Sequence, residues 1–176
     1  LQDYQNNLAG ISRRTKLRLR WYGKDQIDTS YRLEAKFRRA GIGWKSIHPV
    51  TLDDFWGRAI TASQRALSWQ VPEQFVPLLN DRPQPVLTTR YDREYFISDR
   101  GGIRMTIDHN MRFVDQRLSV KPSRTFVGTE TDHQIIEFKF PFDKLDTIRD
   151  ELDKFPLRPS RSSKYVNGLK LILGNF

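Results

Sequence analysis

The sequence predicts an α+β fold made mostly of antiparallel strands, with helices between and after them. Three observations predict it. Residues 15–23 and 31–38 alternate between apolar and charged side chains, the period of a half-buried strand. Residues 86–98, 103–108 and 134–140 are further runs rich in Val, Ile, Thr, Tyr and Phe. Residues 52–69, 141–155 and 162–173 instead repeat apolar side chains near helical spacing. With 176 residues and no internal repeat or Pro/Gly-rich linker, one domain over 1–176 is expected.

Residues 1–12 read as a loop or short helix closed by Gly10. The first strand, 15–23, carries Lys16, Arg18 and Arg20 on one face and Leu17, Leu19 and Trp21 on the other. After a polar turn, 31–38 sets Tyr31, Leu33, Ala35 and Phe37 against Arg32, Glu34, Lys36 and Arg38. Two strands on a short link make an antiparallel hairpin whose charged faces coincide. Residues 40–45, with Gly41 and Gly43, read as a flexible connection. Thr51 with Asp54 three residues later is a capping-box start for a helix running through Trp69, its core face formed by Phe55, Trp56, Ala59, Ile60, Ala66 and Leu67. A short second helix over 72–81 ends at Arg82-Pro83-Gln84-Pro85.

The longest strand is expected over 86–98, with Arg90 and Arg93 of opposite parity, followed by a hairpin turn at 99–102. The return strand, 103–108, places Ile103, Met105 and Ile107 opposite Arg104, Thr106 and Asp108, and 111–120 reads as a separate, irregular strand. A polar loop over 121–132 leads to 134–140, where Ile136, Phe138 and Phe140 alternate with Ile135, Glu137 and Lys139. Leu145, Ile148 and Leu152 mark a helix over 141–155 closed by Pro156, and Ser162 or Ser163 caps a last helix through Leu173.

Thirty Lys and Arg against 21 Asp and Glu give a net charge of +9. Such a chain has an anionic partner: nucleic acid, phosphorylated small molecules, polyphosphate or an acidic membrane surface. The absence of Cys excludes disulfides, thiolate zinc sites and cysteine nucleophiles, and suits a reducing compartment. No apolar run nears 18 residues and no signal-peptide pattern is present, so no membrane segment is expected. The polar opening at Leu1 suggests that the natural protein starts earlier. Gly41-Ile42-Gly43 lacks the third glycine of a dinucleotide fingerprint, no Walker loop exists, and His48, His109 and His133 are scattered. Trp21, Tyr22, Tyr91 and Tyr95 stand near basic residues, which suits either core packing or stacking of single-stranded nucleic acid.

By parity, one sheet surface could present Lys16, Arg18, Arg20, Arg32, Glu34, Lys36, Arg104, Asp108, Glu137 and Lys139. An open sheet would display them on a flat face, and a closed barrel would turn them into a lumen. Glu34 and Glu137 are then either counter-charges or ligands for Mg²⁺ or Mn²⁺ shared with phosphate oxygens. Ser163-Lys164, at a helix start, reads as an anion site rather than a nucleophile pair.

Six segments in this order, TKLRLRWYG, LEAKF with Lys45 downstream, RYDREYF, IRMTIDHN, IIEFKFP and SSKYVNG, resemble the motifs of the VTC domain. That is the catalytic domain of the vacuolar transporter chaperone polyphosphate polymerases and their bacterial relatives, within the CYTH-like triphosphate tunnel superfamily. The resemblance implies an antiparallel β tunnel barrel with basic walls, flanking helices and a C-terminal helix, and a transferase that extends polyphosphate with the γ-phosphate of ATP, aided by Mn²⁺ or Mg²⁺. It implies that Arg18 and Arg20 grip the triphosphate and act in catalysis with Arg104 and Lys164, that Lys36 and Lys45 line the tunnel, and that Arg93, Arg161 and Ser163 bind phosphate; Lys16, on the same strand face as Arg18 and Arg20, is a further expected phosphate ligand. Glu137 matches the metal ligand. The family's opening strands are not found before Leu1, and no SPX-like sensor or transmembrane bundle is present, which suggests a soluble, bacterial-type, cytoplasmic member. ATP and polyphosphate are the expected partners, and nucleic acid is not. A triphosphate hydrolase and a non-catalytic polyphosphate- or nucleotide-binding module are the alternatives.

Overall fold

The computed structural model describes residues 1–23, 30–40, 42–98, 102–125, 128–130, 133–141, 149, 153 and 156–174. It divides into two compact units, Leu1–Thr88 with Val114–Thr125, and Thr89–Phe113 with Phe126–Phe176. The fold is α+β with antiparallel pairing, as the alternation predicts. Among the described residues the strands form a three-stranded and a four-stranded sheet, and no closed barrel is seen.

In the first unit, α1 (Gln2–Leu8) leads into β1 (Arg14–Arg20), which pairs with β2 (Ser30–Arg39) as the expected hairpin; residues 24–29 of its turn lie outside the described residues. Residues 42–45 of the expected flexible connection instead open a third strand, β3 (Ile42–Thr51), paired along the whole of β2. Gly41, Gly43 and Pro49 hide this strand from sequence reasoning. Proline lacks a ladder N–H, and β3 tolerates it because it is the outer strand of this sheet.

Thr51 does not start a helix. It ends β3, where its N–H donates to Gln70 Oε1 and its carbonyl accepts from Gln70 Nε2, both at 2.8 Å. The chain turns over 53–57 with Asp54 at φ 47°, and α2 (Ile60–Gln70) starts later than expected. Its first N–H is satisfied by Val120 O at 2.9 Å instead of by a capping side chain. A 3₁₀ turn, Glu73–Phe75, and α3 (Val76–Asn80) match the predicted second helix. These elements cover the apolar face of the sheet, burying Tyr31, Leu33, Ala35, Val50, Leu52, Leu67, Phe75 and Leu79 in one core. Trp21 packs there too, edge-on to Tyr31 and Trp56 with ring centroids 6.1 and 5.7 Å away. The buried amide of Gln116 ties the returning segment down, donating to Thr88 Oγ1 (3.0 Å) and Ser123 O (2.8 Å) and accepting from Ser123 N–H (2.8 Å).

The second sheet is built on β4 (Leu87–Ile97) and β5 (Arg104–Asp115), with β6 (Gly128–Glu130) and β7 (Ile135–Lys139) both paired antiparallel to β5. Residues 99–101 of the expected hairpin turn lie outside the described residues, and Ser98 N–H donates to Ile103 O across it at 3.1 Å. The two strands expected at 103–108 and 111–120 are one strand as far as Asp115. Asn110, left-handed at φ 53°, makes it possible. Before it Thr106 and Asp108 are buried, and after it Met111 and Phe113 are, so one residue shifts the alternation by a half period. Asn is among the few side chains that accept this conformation cheaply.

The helix expected at 141–155 falls largely outside the described residues. The last helix, α4 (Lys164–Leu173), begins after Ser163, whose hydroxyl makes no capping hydrogen bond, and ends at Gly174 in the left-handed conformation a C-terminal cap requires.

Candidate functional site

The register of the first sheet decides which cations meet. Lys16 stands opposite Lys36, and Lys36 opposite Lys45, so three lysines form one row across three strands. Arg14 and Arg38 form the neighbouring row, Arg18 faces Glu34, and Arg20 faces Arg32. Neighbouring strands lie about 4.8 Å apart and every second residue about 6.7 Å along, so the face is a lattice of positive charge. Burial, with Arg14 and Lys36 adding like-charge repulsion, lowers the Lys16 ammonium below its ordinary value, although Asp3 acts the other way. An anion laid on this face relieves that repulsion.

Glu34 is the counter-charge. It is buried, and one carboxylate oxygen takes Arg18 Nε at 2.7 Å and Nη2 at 2.5 Å while the other faces Arg20 Nε at 3.7 Å. Of the two roles the sequence leaves open for Glu34, the ion pair is the one present. The Arg18 side chain is still 53% exposed, which leaves guanidinium donors for a ligand. Arg20 also donates to the Tyr22 hydroxyl at 3.2 Å, a bond that draws the phenol below its ordinary pKa, and Arg32 lies 5.5 Å over the same ring.

The second unit holds a different arrangement. Asp108, on β5, is fully buried and is clasped by Arg93 of β4 in a fork, Nε to Oδ1 at 2.5 Å and Nη2 to Oδ2 at 2.7 Å. Lys164, the first residue of α4, closes on Oδ2 of the same carboxylate. The Tyr91 ring lies under both cations, 5.3 Å from the Arg93 guanidinium and 4.9 Å from Lys164 Nζ. Burial alone would raise the Asp108 carboxyl, but the hydrogen bonds from Arg93 and Lys164 outweigh it and hold the group below the ordinary carboxylate range. The same bond holds the Arg93 guanidinium above its ordinary value. Lys164, read from sequence as part of an anion site at a helix start, therefore already has an anion from the protein.

On the same face of β5, Arg104 stands opposite Lys139 and Thr106 opposite Glu137. Arg104 is exposed, and with Lys139 it borders an open groove walled by Ile97, Phe138 and Phe140. Glu137 is 45% exposed and pairs with Lys139 Nζ at 3.4 Å. The buried Thr106 hydroxyl has no hydrogen-bond partner among the described residues. No group of three or more His, Asp and Glu converges among the described residues. Among the described residues Glu137 thus offers a lone carboxylate, and a divalent cation there would take its other ligands from phosphate oxygens and water. Arg161 is exposed in the segment before α4, and Ser163 is half-buried at the helix start. His48 meets Gln70 O at 2.8 Å and His109 meets Glu94 at 3.2 Å, which leaves them apart, as the sequence suggests.

Lys16, Arg18, Arg20, Lys36 and Lys45 thus share one face of the first sheet, and Arg93 and Lys164 meet on one carboxylate of the second unit. Sequence reasoning placed Asp108 on the charged face without giving it a role, and did not foresee that Tyr91 serves two cations. The available signals were the placing of Arg93 and Asp108 on consecutive strands and of Tyr91 near basic residues.

No curated protein and no solved structure matches the chain. The family model for the VTC domain matches residues 1–173, the span that holds every cation described above. With that match over nearly its whole length, the chain belongs to the VTC domain family.

Proposed function

We propose that this chain is a metal-dependent phosphotransferase that extends polyphosphate with the γ-phosphate of ATP, inside the tunnel enclosure the family resemblance implies. VTC membership supports a polyphosphate-related role. The observation that carries the reading further is the registered lattice of Lys16, Lys36 and Lys45 beside Arg18, Arg20 and Arg32, which offers cations at repeated intervals to a ligand of repeated charge. Phosphoryl transfer asks little covalent chemistry of a protein, so positioning and charge neutralisation suffice. Arg18 and Arg20 hold the triphosphate with planar donors, the lysine row carries the chain, and Arg104 neutralises the transferring group. Arg93, Arg161, Ser163 and Lys164 add phosphate contacts. Glu137 would hold Mn²⁺ or Mg²⁺, and the ion, when bound, would supply further neutralisation of phosphate charge. The proposed setting is the cytoplasm. No helix among the described residues is long and apolar enough to cross a membrane.

The test is incubation with ATP and Mn²⁺ while phosphate species are followed by ³¹P NMR. A growing internal-phosphate resonance supports the polymerase. Orthophosphate without internal phosphate means a tunnel hydrolase, and shifted ATP resonances without turnover mean a binding module.

A further inference from the structure

We propose that Asp108 is a positioning residue, fixing the orientation of Arg93 and Lys164 so that their remaining donors face a polyphosphate ligand. The inference rests on the polyphosphate reading only for the identity of that ligand. Asp108 is fully buried and meets one cation 15 residues before it in sequence and another on the last helix. A carboxylate taken wholly out of water persists only when paired and hydrogen-bonded, and here the pairing is a fork plus an ammonium. The fork uses Arg93 Nε and Nη2, which fixes the plane of the guanidinium and leaves the Nη1 group turned away from the carboxylate. Lys164 contributes to Oδ2 and retains further N–H donors. The Tyr91 ring restrains both cations from a third side.

The charge balance has a second effect. Arg93 and Lys164 around Asp108 carry a net charge of +1 rather than +2, which limits their mutual repulsion and lets two long side chains stay ordered before a ligand arrives. Ordering in advance removes an entropic cost from binding.

The experiment compares wild type with Asp108→Asn, which keeps the shape of the side chain and removes its charge. Tripolyphosphate binding is measured by calorimetry and kcat and KM with ATP and Mn²⁺, alongside Met111→Ala as a control for lost stability in the same strand, since Met111 is fully buried. Asp108→Asn should weaken tripolyphosphate binding by about 10-fold or more, the scale on which groups that orient a binding residue act. The control should lose stability and keep its affinity. In an Arg93→Met/Lys164→Met background, Asp108→Asn should change affinity no further, because the residue acts through those two. Equal or tighter binding by a folded Asp108→Asn variant overturns the proposal, as does an equal loss in the Met111→Ala control. The Arg93 Nε–H resonance supplies a readout free of substrate: it should be protected from solvent exchange in wild type, and exchange at the solvent rate there would refute the fixed fork even if no variant folds. Absence of tripolyphosphate binding by wild type would sink the polyphosphate reading and the ligand-facing half of this proposal with it, whereas protection of that resonance, with its loss in Asp108→Asn, would still show that Asp108 fixes the Arg93 guanidinium.

Discussion

Removing the charge of Glu34 should weaken the fold and strengthen polyanion binding at the same time. Its carboxylate is 3% exposed and faces Arg18 and Arg20. A pair of unit charges about 4 Å apart interacts by about 4 kcal/mol at the effective dielectric of a protein surface. Much of that is offset by the cost of desolvating the carboxylate, which Glu34→Gln no longer incurs. The Arg18 side chain, 53% exposed, can turn back into water, so the loss is well below the 3–5 kcal/mol of stranding a buried charge. The expected destabilisation is about 1–2 kcal/mol, a fall in Tm of roughly 2–8 °C for a chain of this size. The neutral amide removes one negative charge from beside Arg18, Arg20 and Arg32, so tripolyphosphate should bind more tightly and with a steeper dependence on salt. Circular dichroism melts and calorimetry at two salt concentrations measure both effects. A Glu34→Gln variant that is as stable as wild type and binds the polyanion more weakly would refute the reasoning, because Glu34 would then be contributing to the ligand rather than opposing it.

Arg104→Ala and Glu137→Ala should each abolish turnover in the ³¹P assay while shifting Tm by no more than about 2 °C, since both side chains are exposed and surface changes rarely exceed about 0.5 kcal/mol; full activity in both would remove them from the site. Gln116→Leu should cost about 3 kcal/mol in chemical denaturation, because it strands the Ser123 N–H and carbonyl in a buried setting. The carboxyl of Asp108 titrates in the folded chain below the ordinary 3.8, so its stabilisation is complete above that pH and is lost as the pH falls through the lower folded value. Unfolding followed against pH should therefore steepen below about 3.8 in wild type and flatten there in Asp108→Asn.

The parts of this molecule that sequence could reveal are those where one periodicity decides the outcome. The hairpin of β1 and β2 was legible because residues 16–21 and 31–38 alternate between charged and apolar side chains without exception, and the register then follows from the shared charged face. The third strand was hidden by its own composition, since Gly43 and Pro49 lie within it and one face mixes Trp44 and Val50 with Ser46 and His48, so no local alternation marks it. Thr51 carries a valid capping pattern, yet the Gln70 amide offers both of its backbone groups a partner, and a contact 19 residues away outcompetes a local one. The lysine row was half legible for the same reason: Lys16 and Lys36 follow from the hairpin, whereas Lys45 needs the strand that was missed. The triad on Asp108 depends on α4 bringing Lys164 back to β5, and no spacing in the sequence encodes that return.

Asn110 has a consequence for how such a chain can change over generations. Because the left-handed residue resets the alternation, the stretch of β5 before it, bearing Arg104, Thr106 and Asp108, and the stretch after it, bearing Met111 and Phe113, answer to separate neighbours, β7 and β6. Each half can drift in sequence without the other having to follow. A deletion or insertion of a single residue between Asp108 and Met111 would break that independence, turning one half's side chains onto the wrong side of the sheet. Among descendants of this chain, substitutions should accumulate freely in either half, whereas changes of length at this joint should be purged.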